Sequence, residues 1–288
     1  MLVIGDVIDD ILVSISMPLR HNTDTPASIS RSSGGSAANT AVWLAHLGVS
    51  VDFVGRVGHG DQSRFADEFE RAGVRPHLES DALSPTGTIV IIVEAESRTM
   101  LTDRGANTQL DTEAIDQALV EGAPWVHLTG YSMFHHVDPD SISRFISAAR
   151  SRGAQVMMDA SSSGFLEDFG IERFLGAIAE VSLLRCNEEE ALVLTRTQSI
   201  AEAIAALSQR FETVVVTQGS AGVWVSQNGE SQVVPVTDPV ASVDPTGAGD
   251  SFNAGLLAGL IQHETLEQAI GRGIAAASTC IRKTGARP

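Results

Sequence analysis

The chain of 288 residues has little cysteine, few aromatics and a shortage of positive charge. Its two cysteines, Cys186 and Cys280, stand far apart. That excludes a disulfide framework or a zinc spacing and fits reduced thiols. Lys and Arg number 19 against 36 Asp and Glu, a net charge of -17. Such a surface repels phosphate backbones and anionic lipid, so neither a nucleic acid nor a membrane is the expected partner. A small anionic substrate stays open, because a local field can oppose the net charge. No apolar run reaches the roughly 18–20 residues of a membrane span. The apolar start MLVIGDVIDDILVSISM is interrupted by Asp6, Asp9 and Asp10, where a secretion signal carries basic residues and then an unbroken apolar stretch. A cytoplasmic protein is the expectation. The histidines show no metal-ligand spacing.

Hydrophobic residues make up 43% of the chain and charged ones 19%, enough to bury a sizeable core. Short apolar runs alternate with amphipathic stretches. Strands are expected at 2–4, 51–54, 125–128, 155–158, 181–184 and 213–217, and helices at 37–47, 62–72, 142–150 and 200–210, several with a glycine just beyond the last turn. This alternation predicts one α/β unit with a mainly parallel sheet covered by helices on both faces. Two stretches break the rhythm. Residues 9–16 and 27–31, and again 86–94 and 98–102, read as strands with no helix between them, the second pair joined by a hairpin loop at 94–97. They are expected to form a small β-sheet standing off the main one. Beyond residue 250 two more helices are expected, at 251–260 and 266–280.

Near the end stands Val243-Asp244-Pro245-Thr246-Gly247-Ala248-Gly249-Asp250-Ser251-Phe252. A turn of two glycines and an alanine lets backbone N–H groups approach a ligand closely, and the following helix adds the positive end of its dipole. The turn alone leaves two roles open for Asp250: a helix cap, or a base that takes the proton of an attacking hydroxyl beside an anion hole. No Gly-Lys-Ser/Thr follows, so this is not the usual phosphate loop of nucleotide hydrolases.

The stretch resembles the C-terminal signature of the PfkB/ribokinase family of carbohydrate kinases, with Pro245 and Thr246 where that family has threonine and a variable residue. A second stretch, Ser33-Gly34-Gly35-Ser36-Ala37-Ala38-Asn39, is similar to the family's N-terminal glycine-pair signature. The resemblance implies a ribokinase-like three-layer α/β/α fold over residues 1–288, with lid strands from about 9–33 and 84–104. It also implies site roles. Asp250 is then the general base, and Gly247, Ala248 and Gly249 form the anion hole. Asp10, Gly34, Gly35 and Asn39 would bind the acceptor, with Asn107 and Arg104 as further contacts to substrate or lid. Asn187-Glu188-Glu189-Glu190 resembles the family's N-x-x-E motif, in which Asn187 and Glu190 would organise Mg²⁺, mainly through water, and the phosphates. Thr217, Gly219, Ser220 and Gly222 would meet ATP, and Asp244 and Thr246 fit part of a K⁺ site.

The activity implied is ATP-dependent phosphorylation of a sugar hydroxyl, by a protein expected to form a homodimer through its lid. Arg104 would suit a sugar acid, or else pair with Asp103 or another acid. Aromatics at 5% favour a sugar over a nucleoside, although Tyr131, Phe134 and Trp43 could stack on a base. A nucleoside kinase is the alternative within enzymes. A sugar-binding regulatory protein without turnover is the alternative outside them.

Overall fold

The run Val214-Val215-Val216 has no polar alternation, so it asks for burial on both faces. The computed structural model, which describes residues 1–94, 97–138 and 140–288, supplies it. The first half of the chain holds β1 (Leu2–Ile4), β2 (Ile8–Ile15), β3 (Ala27–Gly34), α1 (Ser36–His46), β4 (Val51–Gly58), α2 (Gln62–Arg71), β5 (Val74–Asp81), β6 (Gly87–Glu94) and β7 (Ser97–Asp103). Then follow α3 (Gln117–Glu121), β8 (Trp125–Thr129), α4 (Asp140–Ser151), β9 (Gln155–Asp159), α5 (Ser163–Phe169), α6 (Ile171–Ala177), β10 (Leu183–Asn187) and α7 (Glu188–Thr195). The chain continues with α8 (Ile200–Leu207), β11 (Thr213–Thr217), β12 (Val223–Gln227), β13 (Glu230–Val234), α9 (Ala248–Ile261) and α10 (Leu266–Cys280).

Nine strands form the main sheet in the order β13-β12-β11-β10-β9-β8-β1-β4-β5, with only the β12 and β13 pairings antiparallel. Strand alternation sends Leu2, Ile4, Val126, Leu128, Val214 and Val216 into one core, under α3 to α8. Val3, Met157, Leu183 and Val215 enter the other, under α1, α2, α9 and α10. This is the three-layer α/β/α arrangement expected. The strand order reverses between β1 and β8, and in open α/β sheets such a switch opens a crevice at the carboxyl ends of the strands.

The second sheet has the order β3-β2-β6-β7. Two antiparallel hairpins, β2–β3 and β6–β7, join through a parallel β2–β6 pair. Ala95 and Glu96 of the expected hairpin loop lie outside the described residues. Some boundaries differ from expectation. Strand β10 begins at Leu183 rather than at 181, and α9 begins at Ala248 rather than at 251. The second shift has a local cause: Gly247 takes φ 80° and starts the helix early. Strand β5 and the β12–β13 hairpin were not expected.

Candidate active site

Gly247 holds the N-cap position of α9 in a left-handed conformation. Glycine adopts it freely, and a Cβ here would also come within 2.6 Å of Ala286 Cα. No side chain caps the helix. The Ala248 N–H donates to Pro245 O at 3.1 Å, and the first turn offers its other backbone N–H groups and the positive dipole end at a single point. Asp250 lies in that turn and does not cap it. Its Oδ1 accepts from Ser36 Oγ at 2.7 Å and its Oδ2 from Asn39 Nδ2 at 2.9 Å. Burial raises its pKa to about 7, with Asp159 and Asp6 pushing the same way and the Ser36 and Asn39 bonds opposing. A fixed carboxyl that titrates near neutrality is suited to taking a proton.

Ser36 and Asn39 reach Asp250 because Gly34 and Gly35 let β3 turn tightly into α1. Gly35 has φ 99°, and a Cβ on it would strike the backbone of Asp6. A Cβ on Gly34 would strike the Asp10 carboxylate. Asp6, buried just after β1, accepts from the N–H groups of Ser36 and Ala37 at 3.1 Å each, so α1 is capped by a side chain from another element. Asp10 on β2 has its pKa raised to about 6 by burial, with Asp6 adding to the rise and Arg287 opposing it. Asn39, Asp250, Gly34, Gly35 and Asp10 thus meet at the foot of the lid.

Asn107 and Arg104 are occupied within the fold. The Val7 N–H donates to Asn107 Oδ1 at 2.9 Å, while Asn107 Nδ2 donates to Val7 O at 3.0 Å and Arg104 O at 2.9 Å. One amide therefore ties the approach to β2 to the chain leaving β7. Arg104 is buried. Its ion-pair partner is Asp6, at 3.6 Å, rather than Asp103. Its Nη2 donates to Tyr131 O at 2.9 Å, and the guanidinium lies 4.9 Å over the Tyr131 ring.

A cavity of about 380 Å³ opens at the first turn of α9. Thr217, Gly219 and Ser220 line it together with Ala248 and Gly249. Gly222 lies outside that lining; at φ 120° it turns the chain into β12, where a Cβ would come within 2.8 Å of Val234 O. Beneath the cavity the strand register gathers three polar side chains. Arg185 pairs with Asp159 and Asn187 with Thr217 along β9, β10 and β11, so Asp159, Arg185 and Thr217 share one sheet face. Arg185 donates to Asp159 Oδ2 at 2.8 Å and to Thr217 Oγ1 at 3.0 Å. Asn253 of α9 donates to the same Asp159 oxygen.

Asn187 and Glu190 form a capping box at α7. Asn187 Oδ1 accepts from the Glu190 N–H, and both Glu190 oxygens accept from Asn187. Burial raises the Glu190 pKa to about 7, and Asp159 adds to the rise. Asp159 and Glu190 set two carboxyls near the single guanidinium of Arg185, oxygen donors of the kind that suit Mg²⁺ held through water. Among the described residues no group of three or more His, Cys, Asp or Glu could cage a metal directly. Asp244 Oδ1 accepts from Thr246 N at 2.9 Å and Oγ1 at 2.6 Å, and Oδ2 from Gly285 N at 3.1 Å. It braces the glycine turn against residues 281–286.

An uncapped glycine turn thus carries a fixed carboxyl between a cavity and the foot of the second sheet. The family model for pfkB family carbohydrate kinases matches residues 1–288. The chain belongs to this family. It is 29% identical to a fructokinase of Klebsiella pneumoniae, over 96% of this chain and 90% of that one. The structure of an adenosine kinase from Sinorhizobium meliloti superposes with a TM-score of 0.87 at 26% identity, covering 100% of this chain and 95% of that one. An Arabidopsis thaliana ribokinase complexed with ribose and ATP superposes with a TM-score of 0.84 at 25% identity, covering 99% and 93%. The fold is ribokinase-like, and this PfkB member is an ATP-dependent phosphotransferase whose acceptor is a small sugar or nucleoside. Among the described residues no helix is long and apolar enough to cross a membrane.

Sequence reasoning missed Asp6, Asp159, Arg185 and Arg287. A signal existed for Arg185: a charged residue in Leu183-Leu184-Arg185-Cys186, inside a strand that should be buried on both faces.

Proposed function

We propose that this PfkB kinase transfers the γ-phosphoryl group of ATP to a hydroxyl of a small sugar or sugar-like polyol, with Asp250 as general base. One observation carries the reading: Asp250 is held by Ser36 and Asn39 within the uncapped first turn of α9. The acceptor lies against Gly34, Gly35, Asn39 and Asp10, its reacting hydroxyl toward Asp250. ATP fills the cavity along Thr217, Gly219 and Ser220, with its γ-phosphoryl group at Gly247, Ala248 and Gly249. Asp250 takes the hydroxyl proton as the oxygen attacks in line, and the turn's N–H groups receive the charge on the transferring group. Arg185, beside Gly249 and Thr217, adds fixed positive charge below the phosphates. Mg²⁺, held through water on Glu190 and Asn187, would offset charge on the phosphate oxygens. A K⁺ ion beside Asp244 and Thr246 would stiffen the turn. The lid, built from β2, β3, β6 and β7, closes over the acceptor and limits attack by water.

A sugar is favoured because the candidate stacking residues are already occupied. Trp43 is buried and donates from Nε1 to Ala286 O. Phe134 is buried, and Tyr131 lies under Arg104 with its hydroxyl on Ser161 O. Asp6 neutralises Arg104, which argues against a sugar acid. A nucleoside is the second reading, favoured by the likeness to adenosine kinase and by a cavity of about 620 Å³ beside Arg104, Pro85 and Phe165 at the foot of the lid. Ile29, Met100 and Leu101 leave apolar surface exposed on the lid, and a second copy of the chain covers it in the homodimer we propose.

The test is ATP-dependent ADP formation across sugars, sugar acids and nucleosides, with Asp250→Asn as control. A sugar that stimulates the wild type and not the variant supports the reading. Stimulation by nucleosides alone selects the second reading. Sugar binding without turnover makes this a binding protein.

A further inference from the structure

Arg287 has no part in either signature, and the chain distance to its partners hides it from sequence reasoning. Its guanidinium nevertheless enters the foot of the acceptor site. Arg287 Nε donates to Asn39 Oδ1 at 3.0 Å, and Nη2 reaches Gly34 O at 3.4 Å. Nη1 donates to Glu68 Oε1 at 2.6 Å, and Glu68 Oε2 accepts from Ser33 Oγ at 2.6 Å. The group sits 5.9 Å from the centre of the Phe69 ring. One side chain thus joins the end of β3, the start of α1 and α2.

The bond to Asn39 has a directional consequence. A primary amide has one acceptor end and one donor end. With Nε fixed on Oδ1, the NH₂ group of Asn39 must face the other way, where it meets Asp250 Oδ2. A flipped amide would set two donors together at Arg287 and two acceptors together at Asp250.

The charge has a consequence as well. Asp6 just after β1, Asp10 of β2 with Asp9 beside it, and Asp159 of β9 bring negative charge to the cleft. Tyr131 after β8 interacts with Asp6 and Asp250, and Cys280 of α10 with Asp250 and Asp244; both stay neutral, since burial raises the pKa of each. Arg287 is a cation that acts on both Asp10 and Asp250, and Glu68 shares its charge.

We propose that Arg287 is a positioning residue for phosphoryl transfer: it orients the Asn39 amide on Asp250 and places a positive charge near Asp250 and Asp10. The proposal rests on the reading of Asp250 as the base.

The experiment compares wild type with Arg287→Ala, Arg287→Lys and Glu68→Gln, reading kcat, both KM values and the pH profile, with thermal unfolding to establish that each variant is folded. Arg287→Ala is expected to lower kcat roughly 10- to 100-fold, the scale of a displaced catalytic group, with little change in KM for ATP. A base must be ionised to act, so losing the cation moves the acid limb of kcat/KM to higher pH, by roughly half a unit or more. Arg287→Lys keeps the charge and restores the limb, but recovers only part of kcat because an ammonium lacks the planar fork. Glu68→Gln shifts kcat in the same direction by less.

Carboxyl ¹³C titration of Asp10 and Asp250 reads the electrostatic change without turnover. It decides the proposal even if the acceptor panel is silent and the kinase reading fails. Titration at higher pH in Arg287→Ala supports the proposal. Unchanged titration, or a folded Arg287→Ala with wild-type kcat, overturns it.

Discussion

The two sides of the cleft are built differently. On the side proposed for ATP the lining is backbone and rigid core: the first turn of α9, the loop after β11, and a buried Arg185–Asp159 pair fixed by strand register. On the side proposed for the acceptor it is side chains and glycines at the root of the second sheet, braced by Asp6, Asn107 and Arg287. The difference suits the two ligands. Phosphate presents the same oxygens in every reaction, so backbone N–H groups suffice and need not vary. Acceptor hydroxyls differ between substrates, and side chains on the strands of the second sheet can change without disturbing the transfer machinery. Asp250 stands where the two sides meet. Substitutions should therefore divide by ligand, and those at Asp250 should affect both.

Asp250→Asn should have the largest effect. The amide keeps the shape and loses the base, so kcat should fall by roughly 10²–10⁴, the usual contribution of positioned acid–base catalysis. Stability should move the other way. The folded pKa near 7 lies above the ordinary carboxylate value. The stabilising contribution of Asp250 is therefore present below that ordinary value and is lost as pH rises through about 7. The variant should unfold at a higher temperature than wild type above neutral pH, with the gap closing as pH falls toward 4. Wild-type turnover in the variant would remove Asp250 from the chemistry. A thermal gap independent of pH would mean that its burial is not strained.

Asp10→Ala tests the acceptor side alone. A charge-assisted hydrogen bond to a sugar hydroxyl contributes about 1.5–3 kcal/mol, so KM for the acceptor should rise roughly 10- to 100-fold while KM for ATP holds. Equal movement of both values would show that the two sides are coupled and the division is wrong.

The parts of this site legible in the sequence are those in which a backbone demand dictates a residue type. Gly247 and Gly35 stand at positive φ with no room for a side chain, so the motifs carry their own geometry. The buried strands were legible for a similar reason, since burial on both faces asks for unbroken apolar runs. Edge strands carry less of that signal. Strand β5 exposes Arg75, and β13 exposes Glu230, Ser231 and Gln232, which fits the need of an open edge to stay polar. The Asn228-Gly229 turn between β12 and β13, with both residues at positive φ, was a readable hairpin signal. The convergence of Asp159, Arg185 and Thr217 was not, because it depends on register among three strands. Arg287 and Asn39, 248 residues apart, meet only once the whole fold exists.

Gly249→Ala gives the smallest and most selective change. Unlike Gly247, Gly249 is in ordinary helical backbone, so alanine strains nothing there. The added Cβ would come 3.2 Å from Arg185 Nη1. That guanidinium can yield little, because Asp159 and Thr217 hold it. The methyl also enters the surface that meets the phosphates. Mild overpacking of this kind costs about 1 kcal/mol, enough to raise KM for ATP several-fold while the acceptor KM and the melting temperature stay near wild type. Gly247→Ala, meeting Ala286 Cα at 2.6 Å, should instead lose stability and both substrates together. If Gly249→Ala changed acceptor affinity as much as ATP affinity, the turn would be reporting on the lid, and the boundary between the two sides would have to move past Asp250.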